Sequence, residues 1–404
     1  MTWETLDAFN LVGKRVLTRV DINVPIKDGV VTDATRITRI VPTIKHIISQ
    51  RGSVILLAHF GRPKGKIVPE LSLEQLVPEL SEQFGQNVIF SKNPSRAFID
   101  AQAADAIILI ENTRFSAMEE ANDPQLARFF ATLGDIYCND AFSAAHRAHA
   151  STTGIAERLP SCAGLLMQTE LEALQEVLSA PQHPIVAIVG GAKVSTKLEL
   201  LGNLIQKVDQ IIIGGGMANT FLAAQGHNVG KSLCEHNLTD LALKIIAKAK
   251  ANNCDLVLPT DVITTYTFAA NAPHEIHPAH ACPLDQMILD AGPASIEVIK
   301  SIFLTAKTLI WNGPLGAFEV EPFNTATDST AKHAAKLTKM GRLRTVAGGG
   351  DTVAALNKSA AADNFSYLST AGGAFLEWLE GKTLPGIAAL EASALSQTDK
   401  WSHT

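Results

Sequence analysis

The chain has 404 residues, 46% of them hydrophobic and 18% charged, a balance that excludes a disordered linker or a coiled coil. Its length is too great for one ordinary domain and suits two lobes of roughly 200 residues each, every lobe with its own core. The formal net charge of -6 argues against nucleic acid as the main partner, which calls for a basic excess or stripe, but leaves small anions open because local arginines outvote a total.

In chain order, the N-terminal stretch MTWETLDAFNLVGKRV shows no basic start followed by an apolar run. No later segment has the roughly 18 consecutive apolar residues of a spanning helix, so a cytoplasmic protein without a membrane partner is expected. Short runs rich in Val, Ile and Leu then alternate with helix-periodic stretches. They fall at Arg15–Val20, Ser53–Ala58, Ala106–Ile110 and Ile136–Cys138 in the first half. In the second half they fall at Ile185–Val189, Gln210–Ile213, Asp255–Leu258, Thr308–Trp311, Thr345–Ala347 and Ser366–Leu368. Continuous apolar strands between helices imply parallel sheets covered on both faces. The predicted fold class is therefore α/β, with two doubly wound parallel-sheet lobes joined by a helical hinge and a cleft between them.

Met167–Leu178 reads as a stiff helical connector, ended by the prolines of the following Ser179-Ala180-Pro181-Gln182-His183-Pro184. The expected lobes are 1–170, rejoined by the C-terminal segment 385–404, and 171–384. The polar tail Glu391–Thr404 is expected to fray. The five cysteines, Cys138, Cys162, Cys234, Cys254 and Cys282, show neither CxxC nor metal-ligand spacing and read as reduced and structural.

In doubly wound sheets ligands bind beyond the carboxyl ends of the strands, so the residues that follow each run carry the chemistry. In the first half those ends are RVDINVP with Asp21 and Asn23, TDATRI with Arg36, AHFGRP with His59 and Arg62, ENTRF with Arg114, and DAFSAAHRAHAS with His146, Arg147 and His149. Arginine presents a rigid, permanently charged fork matched to carboxylate or phosphate oxygens, and several converging on one wall describe a site for a small multi-anion. The histidines sit among more arginines than carboxylates, which argues against a metal cluster.

From residue 184 onward the ends become glycine-rich: VGGAKVSTK, GGGMANTF, WNGPLGAFE, GGGDT and STAGG. Backbone amides without a Cβ beside them approach a phosphate closely, and a helix that opens next turns its free N–H groups to the anion. Lys193 and Lys197, four apart, are expected on one side of a helix opening after Gly191. The segment GHNVGKS (Gly226–Ser232) imitates the end of a P-loop but has Gln225 where that motif needs its first glycine, and it follows a helical stretch. No GxGxxG occurs, which weakens a nicotinamide dehydrogenase reading. A two-lobed binding protein for phosphorylated sugars or acids remains the alternative from another class.

These motifs, together with the LPG of Leu384–Gly386, stand in the order seen in phosphoglycerate kinases, and the resemblance runs from about residue 13 to 390. It implies reversible phosphoryl transfer between 1,3-bisphosphoglycerate and ADP, giving 3-phosphoglycerate and ATP, with Mg2+ on the nucleotide; a monomer is expected. Carried over position by position, Asp21, Asn23, Arg36, His59, Arg62, Arg114 and Arg147 match the triose-phosphate site. Lys193, Lys197, Gly214, Gly215, Asn312, Glu319, Gly349, Gly350, Asp351 and Thr352 match the nucleotide site, with Asp351 nearest the metal. Arg36, Lys193, Gly349 and Gly350 match the positions around the transferred group. The chain departs from the family pattern at Ala371, usually glycine, where the added methyl is expected to alter the φ preference of the turn, and at Ala291, often isoleucine.

Overall fold

The computed structural model describes residues 3–178, 181–369 and 371–401. The chain divides into two compact units, Met1–Glu172 with Thr383–Thr404, and Ala173–Lys382. The first unit contains one sheet of six parallel strands: β1 (Arg15–Arg19), β2 (Ser53–Leu57), β3 (Val88–Ser91), β4 (Ile107–Ile110), β5 (Ile136–Asn139) and β6 (Ser161–Ala163). Their order is β3-β4-β2-β1-β5-β6. The direction of winding reverses between β1 and β5, so the segments after these two strands flank the crevice where such sheets bind ligands.

The inner strands are legible as apolar runs because both their faces are covered; β2, β4 and β5 are buried at every residue. The edge strands escaped prediction for the opposite reason. The middle of β3 is half-exposed, and β6 is only Ser-Cys-Ala, too short to show a period.

The second unit repeats the plan with β7 (Ile185–Val189), β8 (Gln210–Ile213), β9 (Asp255–Val257), β13 (Thr308–Asn312), β14 (Arg344–Gly348) and β15 (Tyr367–Ser369), ordered β9-β8-β7-β13-β14-β15. Here the winding reverses between β7 and β13. An antiparallel sheet not predicted from the sequence is inserted after β9. Its strands β10 (Asp261–Thr265), β11 (His274–Pro278) and β12 (Met287–Ala291) are ordered β11-β10-β12. The strand β11, His-Glu-Ile-His-Pro, is almost wholly exposed and lacks the apolar run that marks a buried strand.

The helix Leu165–Leu178 runs across the boundary between the units, while residues 179–180 of the predicted connector lie outside the described residues. Its first turn is held by Asp140 Oδ1, which accepts from Met167 N at 3.0 Å, and by Thr43 Oγ1, which accepts from Leu165 N at 3.1 Å. A Cβ at Gly164 would lie 2.3 Å from Asp140 Oδ1, so only glycine lets the carboxylate in. Burial pushes the Asp140 carboxyl up to about 6.

The expectation of a frayed tail is corrected. Pro385–Trp401 is one helix, because Ile387, Leu390 and Ala394 give it a buried face that the polar composition concealed; residues 402–404 lie outside the described residues. Gly386 N donates to Ala145 O at 2.8 Å, within the first unit. All five cysteines are free thiols. Among the described residues no helix is long and apolar enough to cross a membrane.

Candidate active site

In the first unit the carboxyl ends of the strands gather the cations expected there. Arg36, in the first turn of the helix Thr35–Ser49, reaches back to Asp21 after β1, with Nη1 at 2.7 Å from Oδ2. The Ser143 hydroxyl donates to the same oxygen, and Asn23 N donates to Asp21 Oδ1 at 3.0 Å. Burial opposes the Asp21 carboxylate, yet Arg36, the Ser143 hydroxyl and the Asn23 amide together hold its pKa below the usual value. Asn23 Oδ1 in turn accepts from Gly61 N at 3.0 Å, which ties the loop after β1 to the loop after β2.

Arg114, almost fully buried, donates from Nη1 to Gly61 O at 3.0 Å and pairs through Nε with Glu120 at 3.2 Å. Its loop is pinned by Asn112, whose Nδ2 donates to Phe60 O at 2.8 Å and Leu71 O at 2.9 Å. Arg147 donates from Nε to His146 Nε2 at 3.0 Å. Arg62 is exposed and makes no hydrogen bond or ion pair among the described residues. The groups act on one another electrically. Burial lowers the His59 imidazole well below its usual pKa, with Arg19, Arg114 and Arg147 adding to the effect and Asp21 opposing it. His149 is pushed down to about 4 by burial and by Arg114, Arg19 and Arg147.

Two participants went unassigned in the sequence. Arg19 is fully buried at the end of β1, and Glu119 is fully buried in the short helix Ala117–Glu120. The available signal was an arginine closing a buried strand directly before the apolar Val20, a position that is costly unless every donor is used.

In the second unit the strands β7 and β13, on either side of the reversal, end in direct backbone contact. Gly190 N donates to Asn312 O at 2.8 Å, and a Cβ at Gly190 would lie 2.0 Å from Pro314 O. Asn312, fully buried at the end of β13, joins three segments. Its Oδ1 accepts from Lys197 Nζ, its Nδ2 donates to Gly348 O at 2.8 Å, and its backbone carbonyl holds Gly190. Thr352 Oγ1 accepts from Gly313 N at 2.7 Å. The helices Gly216–Ala224 and Gly350–Lys358 open directly after Gly215 and Gly349, so their free N–H groups sit at the glycine ends.

Beside this network lies a cavity of about 400 Å³. Gly191, Gly215, Gly216 and Asp351 line one side, and Pro259, Val262, Phe268, Met287, Ile288, Leu315 and Phe318 supply an apolar wall, with Glu319 also at the lining. An apolar slot of this size next to amide-rich strand ends suits a purine base with its phosphates. Gly214, the residue after β8, packs closely against Leu315 and is not part of the cavity lining.

Two expectations about local geometry are corrected. Lys193 and Lys197 do not share a helix: Lys193 is extended, Val194–Thr196 form a single 3-10 turn, and the helix begins only at Leu198. The reason is a competing cap, since Glu235 accepts from Ser195 N at 3.0 Å and from the Ser195 hydroxyl at 2.6 Å. Lys197 is therefore half-buried, its pKa lowered by burial against the opposing charges of Glu380 and Asp351, while Lys193 is exposed. Ala371 does not take a left-handed backbone; the turn is made by Gly372 at φ +55°, so the extra methyl meets no φ conflict.

Parallel sheets that end in arginines in one unit and in glycines beside an apolar cavity in the other define a two-unit α/β kinase. The family described as phosphoglycerate kinase matches residues 6–382. The phosphoglycerate kinase of Jannaschia sp. (strain CCS1) is 65% identical over 393 residues, covering 97% of this chain and 99% of its own length. That of Dinoroseobacter shibae is 62% identical over 393 residues, covering 97% and 100%. Among solved structures, phosphoglycerate kinase from Coxiella burnetii superposes with a TM-score of 0.91 at 43% identity, over 97% of this chain and 100% of that one. Phosphoglycerate kinase from Pyrococcus horikoshii OT3 gives 0.79 at 28% identity, over 96% and 99%. The chain belongs to the phosphoglycerate kinase family, whose activity is glycolytic phosphoryl transfer.

Proposed function

We propose that the chain transfers a phosphoryl group reversibly between 1,3-bisphosphoglycerate and ADP, giving 3-phosphoglycerate and ATP. The observation that carries this reading is the division of labour between the strand ends: converging cations in the first unit, and amides, Lys197 and an apolar cavity in the second. Asp21, Asn23, His59, Arg62, Arg114 and Arg147 hold the acid, and Arg36 neutralises charge on the transferring group. Lys193, Lys197, Gly215, Asn312, Glu319 and the Gly349–Thr352 segment hold the nucleotide.

In the direction of ATP synthesis the acceptor is a phosphate oxygen, and in reverse it is a carboxylate with a pKa of roughly 3.5, so neither needs a general base. The chemistry then rests on alignment and on neutralising charge over the equatorial oxygens. The residues fit a hard cation carried on the nucleotide. Asp351 offers one exposed carboxylate in the first turn of the helix Gly350–Lys358, and the described residues contain no cluster of three potential ligands that would hold a metal by themselves. Magnesium held by Asp351 and the phosphates would supply additional charge neutralisation. Because acid and nucleotide bind to different units, turnover requires a state in which both ligands are in line and water is excluded, with Leu165–Leu178 as the hinge. The protein is proposed to act as a cytoplasmic monomer, without nucleic-acid or membrane partners.

A coupled assay with 3-phosphoglycerate, ATP and magnesium tests the reading: turnover supports it, and no turnover by folded protein overturns it.

A further inference from the structure

One hydrogen-bond relay in the first unit has donors and acceptors fixed by chemistry alone. Glu119, fully buried, accepts from both the amide and the hydroxyl of Ser151. With its hydroxyl hydrogen donated to Glu119, the Ser151 oxygen is left to accept, and it does so from Arg19 Nε at 3.0 Å. Arg19 is itself fully buried; its Nη1 donates to Val20 O, and its Nη2 lies 2.9 Å from His59 Nδ1. A guanidinium has no acceptor, so His59 Nδ1 must accept, and the one proton of the neutral ring sits on Nε2.

The alternatives are disfavoured by what surrounds the ring. A proton on Nδ1 would set N–H against N–H at 2.9 Å at the buried edge of the ring. An imidazolium would add a cation beside Arg19, Arg114 and Arg147, against the single opposing charge of Asp21. His59 Nε2 has no hydrogen-bond partner among the described residues, yet it is not among the buried unpartnered atoms, so it reaches solvent. The single free polar atom of the ring is thus a donor turned outward.

We propose that Arg19 is a positioning residue which, anchored through Ser151 to Glu119, fixes His59 as the neutral Nε2–H tautomer and so makes it a directional donor to an anionic oxygen of the bound acid. The inference rests on the proposed binding of a phosphoglycerate at this end. It assigns His59 a task the arginines do not perform. They attract any anion, whereas a neutral donor adds a contact that depends on where the acceptor oxygen lies and brings no further charge.

The test is nitrogen NMR of the full chain labelled at histidine, at neutral pH, first without ligand. A proton on His59 Nε2 and a bare Nδ1 are expected; a proton on Nδ1, or on both, overturns the proposal whether or not any variant folds. Addition of 3-phosphoglycerate should then shift the Nε2–H signal. No shift at saturation overturns the donor role, while failure of the acid to bind at all, read by calorimetry, overturns the functional reading beneath it. In kinetics, Arg19→Met should raise KM for the acid by on the order of 10- to 100-fold, with KM for ATP unchanged and kcat moved less. Arg19→Lys, which keeps a donor within reach of Nδ1, should recover part of that loss. In a His59→Gln background, whose amide donor needs no tautomer to be chosen, Arg19→Met should add little; an equal loss in both backgrounds overturns the relay.

Discussion

Gly349 and Gly350 are adjacent and match the same end of the nucleotide site, yet their substitution by alanine should have opposite effects on stability. Gly349 has φ +99° and ψ 141°, a conformation close to glycine-only territory that costs a side chain about 1–3 kcal/mol. A Cβ there would lie 2.8 Å from Asn312 Nδ2, too close for any real contact, so the amide must move. That amide donates to Gly348 O, a bond whose loss costs about 1 kcal/mol. Gly349→Ala should therefore destabilise the second unit by about 2–4 kcal/mol. The same displacement frees Lys197 Nζ from Asn312 Oδ1, and a misplaced charged donor weakens nucleotide binding by roughly 10- to 100-fold. Gly350, by contrast, is outside the left-handed region, and a Cβ there meets nothing within 4 Å. At the opening of a helix Gly350→Ala should leave the fold unchanged or stabilise it by about 0.4–1 kcal/mol.

The assay pairs urea unfolding, followed by amide exchange across β13 and β14, with calorimetric titration of ADP. Exchange isolates the second unit, which a single global midpoint of a two-unit chain does not. Equal stabilities for the two variants, or an unchanged ADP affinity in Gly349→Ala, would refute the reasoning.

Arg36→Ala should cut turnover by about a thousandfold with little change in nucleotide affinity, because it removes a charge that acts on the transferring group; near-normal turnover in steady-state kinetics rules out that role. Lys197→Ala should weaken ATP binding measured by calorimetry, and an unchanged affinity counts against it. Asp140 makes a pH prediction. Its carboxyl titrates near 6 when folded and near 3.8 otherwise, so the folded state holds the extra proton and stability falls as pH rises between those values, by about 3 kcal/mol in all. Asp140→Asn should flatten that fall, and a parent-to-variant difference in β5 amide protection that stays constant from pH 4 to 7 would exclude it.

The architecture was readable wherever burial is two-sided. The strands β7 and β8 coincide with their predicted runs because, Gln210 apart, their residues are apolar and buried. Edge strands and the antiparallel insertion were not, since β3 has only part of its side chains in the core and β11 almost none. The tail failed for a related reason. Polar composition masked Leu390 and Ala394, whose burial depends on the rest of the unit presenting a surface to receive them.

The chemistry at the strand ends divides along a similar line, between what a residue type offers and what geometry selects. Arginine at one set of ends and glycine at the other were visible because side-chain charge and backbone access are local properties. Which arginine works on a ligand and which works on a neighbour is not local. Arg19 and Arg36 are 17 positions apart by residue number, yet Arg36 remains partly exposed beside Asp21 whereas Arg19 is spent on Ser151, 132 residues away, and on His59. Lys193 and Lys197 separate in the same way. The spacing of four placed them on one helix face, but Glu235, 40 residues beyond Ser195, caps the turn between them, and Asn312, 115 residues beyond Lys197, takes that side chain alone. A buried donor must be matched, and here the matches come from strand ends and loops distant in sequence. The residues that orient a site are therefore ones whose roles its local motifs do not announce: Arg19 and Ser151, which lie within RVDINVP and DAFSAAHRAHAS, and Glu119, which lies outside any motif.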